Sequence, residues 1–390
     1  MMDTSTSNQA PLRKMRVGFN ADILSNPDVR GLVRYTTELL RALSCRDDVE
    51  IFLFSQQELN AQHLADIRAT SVVFPALRET LWVDLTLPKK LREWNIDVFH
   101  APAERGIPLL KPCPLVVTVH ESYERTYWRE VYPKLKSRLW YWKYELSNYC
   151  RADALITVSD TTRRKLIELN VTRERQCRRV YLAPAREFRP EGDTSDAEVI
   201  DKYNLCSPYV LYVGGYDTRK NVHALVQAFD SAHLPNHRLV IVARKEWEYP
   251  ALVERWKQLS CFPKLRLLEV QPREIPALYR QADFFVNPSL WESFSFQLTE
   301  AMACGTPLLC SNRTAMPEIA CGAAQYFDPE NRDELVSWLQ RFAADSQLKA
   351  RLRHEGFERV KAFSWDATAE QTVAIYRDLL CKGVQQDLRR

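Results

Sequence analysis

No stretch of the 390-residue chain stays apolar for the roughly 18 residues that a membrane-spanning helix needs. The first 14 residues, MMDTSTSNQAPLRK, also lack the apolar core of a secretion signal, and we expect a disordered lead-in there. The ten cysteines include no C-x-x-C pair, and no His/Cys cluster has the spacing of zinc ligands. These absences predict a cytoplasmic protein with reduced thiols and no bound metal ion.

Strong charge of one sign is also missing, since the formal net charge is only +4. Such a mild excess does not indicate nucleic-acid binding. The hydrophobic fraction of 46% and the charged fraction of 27% are typical of a soluble globular protein. The length exceeds one ordinary hydrophobic core and therefore suits two domains.

Short apolar runs alternate with amphipathic stretches in the first half of the chain, which is typical of buried parallel strands separated by helices. Helices are predicted at 34–43 and 158–169, the second with Ser159 or Asp160 as its N-cap. The predicted strands are 16–20, 49–54, 71–74, 97–100, 115–120, 154–159 and 178–183.

A polar, proline-bearing stretch at 186–201 is predicted as a linker between an N-terminal domain (15–185) and a C-terminal domain (202–365). The final amphipathic helix is placed at 366–385. The strand pattern restarts after the linker, at 209–215, 238–243, 264–270, 283–288, 307–311 and 323–328. Two doubly wound α/β domains facing across a cleft are therefore expected, with the binding site in that cleft.

Two glutamates, Glu292 and Glu300, stand eight positions apart around a predicted helix start. A helix N-terminus attracts anions, and Ser293 or Ser295 can cap it or offer a hydroxyl to a phosphate. Carboxylates nearby can accept hydrogen bonds from ribose and hexose hydroxyls. Phosphate, ribose and hexose together indicate a nucleotide-sugar. The alternative is a pair of surface glutamates, one of which favours the helix dipole.

A second candidate segment is YVGGYDTRKN, residues 212–221. Gly214 and Gly215 at the strand end allow close approach of backbone to a ligand. Arg219 and Lys220 follow and can neutralise a diphosphate leaving group. A solvated Arg-Lys pair is the alternative.

Two further positions follow predicted strands. Gly31 opens the first helix, at the position where the backbone of a doubly wound fold approaches a bound phosphate. The G-x-G-x-x-G fingerprint is absent, so NAD binding is not supported. His120 ends a strand and is expected to face the cleft, with Glu121 beside it as an acid, a base or a solvated residue. A structural histidine is the alternative.

The stretch at 122–151 interleaves aromatic residues with Lys and Arg. Such a stripe can lie at a membrane interface and attract anionic headgroups. Packing of the aromatic side chains on their own domain explains the pattern equally well.

As an ordered set, these stretches resemble the retaining glycosyltransferases of family 4, which have the GT-B fold, and Glu292 and Glu300 match the family's E-x7-E motif. The resemblance covers nearly the whole chain. The matching stretches are MRVGFN, RGLVRYTTELLRAL, VVTVHES, ALITVSDTTRRKL, YVLYVGGYDTRKN, SLWESFSFQLTEAMACGTPLLCS, MPEIACGAAQYFDP and FSW.

The resemblance implies roles for the second-domain residues. Glu300 would hold the ribose of the nucleotide, and Glu292 would contact the donor sugar near the reacting carbon. Backbone N–H groups of Ser293, Phe294 and Ser295 would bind the sugar or the phosphate.

It also implies that Lys220, helped by Arg219, stabilises the departing diphosphate. Gly31 would approach the donor phosphates from the other domain. His120 would lie near the sugar's primary hydroxyl and the acceptor, and the final helix would cross back onto the N-terminal domain.

The chain departs from the family pattern at several places. Serines 293 and 295 stand where the family has glycines in E-G-F-G, and a positive φ at either costs about 1 kcal/mol or more. Glu121 replaces the usual Asp after the histidine, and Gly215 replaces a frequent arginine. Ala243-Arg244 end a strand that often ends in glycine, and Arg30 replaces a second glycine before the first helix.

The expected function is transfer of a hexose, with mannose from GDP-mannose as the first choice, from a GDP- or UDP-linked donor with retention at the anomeric carbon. The expected acceptor is a saccharide or lipid-linked saccharide of a surface polysaccharide, reached by peripheral contact with the inner face of the plasma membrane. No cofactor and no metal ion are expected, and the oligomeric state is not predicted. The alternatives are a non-catalytic nucleotide-sugar-binding protein and an epimerase acting on the nucleotide-sugar itself.

Overall fold

The computed structural model describes residues 13–27, 31–74, 82–121, 123–127, 134–135, 147–192, 194–205, 208–245 and 249–387. Its helices are α1 (Gly31–Ser44), α2 (Ala61–Leu64), α3 (Leu87–Glu93), α4 (Tyr123–Thr126), α5 (Ser147–Arg151), α6 (Asp160–Glu168), α7 (Thr194–Lys202), α8 (Val222–Ala232), α9 (Tyr249–Trp256), α10 (Ile275–Gln281), α11 (Phe296–Ala303), α12 (Met316–Ala320), α13 (Arg332–Ala344), α14 (Ser346–Val360) and α15 (Trp365–Asp387).

The strands form two separate sheets in which every pairing is parallel. Seven strands make the first sheet, in the order β3-β2-β1-β4-β5-β6-β7, and six make the second, in the order β10-β9-β8-β11-β12-β13. The strands are β1 (Met15–Asn20), β2 (Val49–Ser55), β3 (Thr70–Val73), β4 (Val98–Ala101), β5 (Leu115–Val119), β6 (Ala154–Thr157), β7 (Cys177–Arg179), β8 (Tyr209–Val213), β9 (Arg238–Val242), β10 (Leu265–Leu268), β11 (Phe284–Asn287), β12 (Leu308–Ser311) and β13 (Ala324–Phe327).

Both strand orders reverse direction beside their first strand, so each sheet is doubly wound and Rossmann-like. The prediction of two such α/β domains is confirmed. All thirteen predicted strands are present, with ends shifted by a few residues. Strands such as β5 are apolar at nearly every position because helices cover both faces of a parallel sheet.

One continuous hydrophobic core links the two sheets and the last helix. It joins Val17 of β1 to Leu211 of β8 and includes Phe294 beside the cleft and Tyr376 of α15. The last helix, α15, contacts α1 and β6 of the first sheet's domain. The chain therefore returns to its first domain after completing the second.

Local capping explains where α6 begins. Ser159 has an extended backbone, and its hydroxyl accepts a hydrogen bond from the Thr162 amide at 3.1 Å. Ser159 is thus the N-cap that the sequence predicted as one of two choices. This helix start faces the second domain.

Candidate active site

A cavity lies between the two domains, at the carboxyl ends of β8, β9 and β10, with α11 on another side. Ligands bind beyond the carboxyl ends of the strands in open α/β sheets. The cavity has a volume of about 820 Å³, enough for a ligand of nucleotide-sugar size. Five predicted site residues line it: Gly31, Gly214, Gly215, Lys220 and Glu300.

Lys220 forms an ion pair with Glu292 at the edge of this cavity. The Lys220 ammonium lies 2.7 Å from Glu292 Oε1, and the Ser289 hydroxyl donates to the same oxygen at 2.9 Å. Burial opposes ionisation of Glu292, but the attraction of Lys220 and Arg219 outweighs it, so the pKa of Glu292 lies below its ordinary value. The site therefore holds a fixed carboxylate beside a fixed ammonium.

Glu300 lies on α11 and is paired across the cleft with Arg34 of α1. The Tyr279 hydroxyl donates to its other oxygen at 3.3 Å. Burial raises the pKa of the Glu300 carboxyl, and the attraction of Arg34 only partly offsets it. The carboxylate predicted to hold a ribose is therefore occupied by a guanidinium in this structure.

Arg219 points away from the main cavity toward the first domain. Its guanidinium lies 3.3 Å from Glu121 Oε2 and 3.3 Å from Asp217 Oδ1, and it donates to the Trp291 carbonyl at 3.5 Å. Among the described residues, the lining of the cavity includes Lys220 but not Arg219. The two neighbouring cations that the sequence grouped together thus have different surroundings.

The serines around Phe294 do not cap α11 with their side chains. Ser295 is the N-cap, but its backbone is left-handed (φ 69°, ψ 88°) instead of extended, and its hydroxyl makes no capping bond. It lies 3.1 Å from the Asn287 side-chain amide and 3.2 Å from Gln297 Oε1. Of the two roles predicted for these serines, the side-chain cap is wrong, because both hydroxyls bond to other side chains. A hydroxyl offered to a phosphate stays a prediction.

Ser293 and Phe294 are both buried. The Ser293 hydroxyl donates to Glu121 Oε1 of the first domain at 2.7 Å. The Phe294 ring packs against Tyr181 and Phe363, whose ring centroids lie 6.3 and 5.9 Å away. Their side chains therefore join the domains, and only their backbone groups remain candidates for contact with a donor.

The predicted glycines lie where a side chain would narrow the cavity or clash. A Cβ on Gly214 would approach the Tyr212 hydroxyl to 2.5 Å, which real Cβ atoms do not do. A Cβ on Gly31 would face the Phe296 ring across the cleft at 3.9 Å. The Gly215 carbonyl accepts a hydrogen bond from the Tyr212 hydroxyl at 2.6 Å.

The rings of His120 and Tyr35 meet edge to face at a centroid distance of 4.5 Å. His120 Nε2 lies 2.9 Å from the Pro102 carbonyl, so Nε2 carries the proton and donates it. Burial lowers the pKa of His120 to about 4. The imidazole is therefore neutral near pH 7, and its Nδ1 is an acceptor. The described lining of the main cavity does not include His120.

Glu121 is bonded to the second domain, although about a third of its side chain remains exposed. It accepts hydrogen bonds from Trp291 at 3.0 Å and from Ser293 at 2.7 Å, and it pairs with Arg219. All three partners belong to the second domain. Sequence analysis did not single out Trp291 or Arg34. Trp291 directly precedes Glu292, and Arg34 lies one helical turn after Gly31.

Two further predictions, the membrane-facing stretch and the disordered lead-in, fall mostly on residues that the structure does not describe. Most of the basic aromatic stretch at 122–151 lies outside the described residues, as do residues 1–12 of the lead-in. Within the described ranges, no helix has both the length and the apolar character to span a bilayer. In the same ranges, no group of three or more His, Cys, Asp or Glu side chains is arranged to hold a metal ion.

Comparison with known proteins gives the same class as the geometry. The glycosyl transferases group 1 model matches residues 198–359, and the Glycosyltransferase Family 4 model matches residues 29–181. O-antigen chain mannosyltransferase B of Escherichia coli is 26% identical to this chain, and the match covers 93% of this chain and 100% of that protein.

Two solved structures share the whole architecture. HepE of Anabaena in complex with UDP-glucose superposes with a TM-score of 0.76 at 16% identity, over 94% of this chain and all of that chain. Sucrose-phosphate synthase of Thermosynechococcus elongatus gives a TM-score of 0.73 at 21% identity, over 95% of this chain and all of that chain. Two facing Rossmann-like domains of this kind define the GT-B class of glycosyltransferases. The chain belongs to glycosyltransferase family 4.

Proposed function

We propose that this glycosyltransferase moves mannose from GDP-mannose to a hydroxyl of a saccharide or lipid-linked saccharide in surface-polysaccharide synthesis. We further propose that it retains the configuration at the anomeric carbon and needs no divalent metal ion. The single observation that carries the proposal is the interdomain cavity lined by Lys220 and Glu300, with Glu292 paired to Lys220.

The cavity suits the three parts of a nucleotide-sugar. A diphosphate would lie against Lys220, whose cation would replace a metal ion as its charge partner. The ribose diol would donate to Glu300, and Arg34 would have to release that carboxylate. The hexose would reach Glu292, which the attraction of Lys220 and Arg219 keeps ionised despite its burial.

The proposed reaction is electrostatic, with no covalent enzyme intermediate. The bond from the anomeric carbon to the diphosphate oxygen breaks, and the acceptor oxygen bonds to the same face of that carbon. The proton of the acceptor hydroxyl passes to the departing diphosphate. Lys220, with Arg219 nearby, would stabilise the negative charge that develops on the leaving group.

Mannose and a polysaccharide acceptor are proposed from the similarity to the Escherichia coli O-antigen chain mannosyltransferase, which spans nearly the whole chain. The HepE structure contains UDP-glucose, so a UDP-linked donor is the competing choice. A lipid-linked acceptor would bring the protein to the inner face of the plasma membrane as a peripheral protein.

The test is a melting-temperature screen of the pure protein against GDP-mannose, UDP-glucose and ADP-glucose, followed by a transfer assay with EDTA present. A bound donor raises the melting temperature by mass action. We expect GDP-mannose to give the largest rise and radiolabelled mannose to appear in a saccharide or lipid fraction. Binding without transfer or donor hydrolysis would contradict the proposal in favour of a sensor, and an isomerised donor would favour an epimerase.

A further inference from the structure

We propose, on the basis of the proposed function, that Glu121 is a positioning residue for the transfer reaction. Its carboxylate reaches from the first domain across the cleft and holds the second-domain loop that carries Glu292. In this role Glu121 does not touch the reacting atoms. It sets where Glu292 stands once the two domains meet.

The carboxylate of Glu121 contacts three groups of the second domain. Oε1 accepts from the Ser293 hydroxyl at 2.7 Å and from the Trp291 indole N–H at 3.0 Å, and Oε2 lies 3.3 Å from Arg219 Nη1. The Tyr123 amide of its own domain donates to Oε1 at 3.0 Å. Both carboxylate oxygens are thus used.

Two of those partners directly flank Glu292 in the chain. Holding the side chains of Trp291 and Ser293 restricts the backbone on both sides of Glu292. The Glu292 amide is itself bound to Thr314 Oγ1 at 3.0 Å, and its side chain to Lys220 at 2.7 Å. A misplacement of about 1 Å in such a site costs roughly 100-fold in rate.

Side-chain length makes this contact specific. An aspartate at position 121 would withdraw the carboxylate by roughly 1 Å, which stretches the 2.7 Å bond to Ser293 beyond hydrogen-bond range. A glycine at position 293 would remove the hydroxyl and keep the backbone N–H. Glu121 supplies the acceptor oxygen and Ser293 the hydroxyl donor of this bond.

The test is a double-mutant cycle on kcat/KM with E121D, S293G and E121D/S293G. Ser293→Gly alone should lower kcat/KM about tenfold, because a hydrogen bond to a charged group is lost. The double variant should be no slower than E121D alone, since both changes remove the same bond. The loss should fall on kcat and leave the donor KM nearly unchanged, which a general loss of folding would not produce.

Glu318→Asp is the matched control. Glu318 also crosses from one domain to the other, but none of its described bonds is to the loop at 291–293. The losses from E318D and S293G should therefore multiply in the combined variant. Multiplying losses for E121D and S293G would overturn the proposed role of Glu121.

Wild-type turnover separates this inference from the proposed function. With an active wild type, multiplying losses contradict only the role of Glu121. A wild type that transfers no sugar from any donor contradicts the proposed function. The same cycle measured by melting temperature then decides whether the Glu121–Ser293 bond couples the domains, and additive shifts would contradict the inference as well.

Discussion

Glu292 and Glu300 differ in their charged surroundings although they lie only eight positions apart, one in a loop and the other on the helix that follows it. Lys220 and Arg219 keep the pKa of Glu292 low, whereas burial keeps the pKa of Glu300 high despite Arg34. In the proposed function, Glu300 would accept hydrogen bonds from an uncharged ribose diol. Glu292 would stand beside a reacting sugar that develops positive charge, which its carboxylate would stabilise.

Two histidines, the fully buried His100 and the partly buried His120, give the fold a predicted dependence on pH. Burial lowers the pKa of His100 to about 3 and that of His120 to about 4. His100 is fully buried between the Tyr376 hydroxyl at 2.6 Å and Thr118 Oγ1 at 2.8 Å, so solvent does not reach an imidazolium there. An unfolded histidine titrates near pH 6.5. Below that pH these histidines bind protons in the unfolded chain but not in the folded chain, which favours unfolding.

Stability from these histidines should therefore be complete above pH 7 and decline as the pH falls from about 6.5 toward about 4. For His100 alone, the loss between pH 7.5 and pH 5 is about 2 kcal/mol. Melting temperatures of the wild type and His100→Gln across this range measure it. The variant should show the shallower slope, and equal slopes would contradict the account.

Residue-scale pairing is also where sequence reasoning reached its limit. From the eight-residue spacing and the strand ends, the sequence predicted that Glu300, Lys220 and three glycines share one site, and all five line one cavity. Nothing local in the sequence places Arg34 on Glu300, because that bond spans 266 positions and depends on how two domains meet. The missing side-chain cap at Ser295 was not predicted, since its hydroxyl bonds to the side chains of Asn287 and Gln297 and not to a backbone amide of α11.

At the scale of elements, one helix of the second domain caps a helix of the first. Glu318 on α12 accepts hydrogen bonds from the Asp160 amide at 2.6 Å and from the Thr161 amide at 2.8 Å, both at the start of α6. It also accepts from the Thr161 hydroxyl at 2.7 Å and the Tyr181 hydroxyl at 3.0 Å. A carboxylate at this position also interacts favourably with the positive end of the helix dipole.

We expect Glu318→Gln to destabilise the protein by about 1–3 kcal/mol, since the amide keeps the shape and loses the charge and one acceptor oxygen. Urea unfolding with a fixed m-value measures the change. Glu330→Gln is the control, because its ion pair with Arg313 is exposed and should change stability by less than about 0.5 kcal/mol. A Glu318→Gln midpoint equal to that of the control would contradict the capping role.

Element type was readable from the sequence because it depends on local patterning. Every predicted strand is present since runs such as YVLYV are apolar at consecutive positions, as buried parallel strands require. The ends differ because they depend on neighbours. The run predicted as a strand at 178–183, for example, pairs with β6 only through Cys177–Arg179.

At the scale of the whole molecule, the last helix, α15, connects the second domain back to the first. Thr368 on α15 donates to the Tyr181 carbonyl at 2.7 Å, and Trp365 donates to the Pro184 carbonyl at 3.1 Å. Further along, Tyr376 reaches His100 in the first sheet. The second domain is thus joined to the first through this helix, through Glu318 and through the side chains that meet across the cleft.

The central claim is that this cleft binds a nucleotide-sugar through Lys220 and Glu300. It is tested most directly by kcat/KM for transfer from the preferred donor in wild type, Lys220→Ala and Glu300→Ala. Lys257→Ala is the control, since its pair with Glu254 is exposed and neither residue belongs to the described cavity lining. The account predicts losses of about 100-fold or more for the two cleft variants, several kcal/mol of transition-state stabilisation, and no loss for the control. Wild-type turnover in either cleft variant would contradict it.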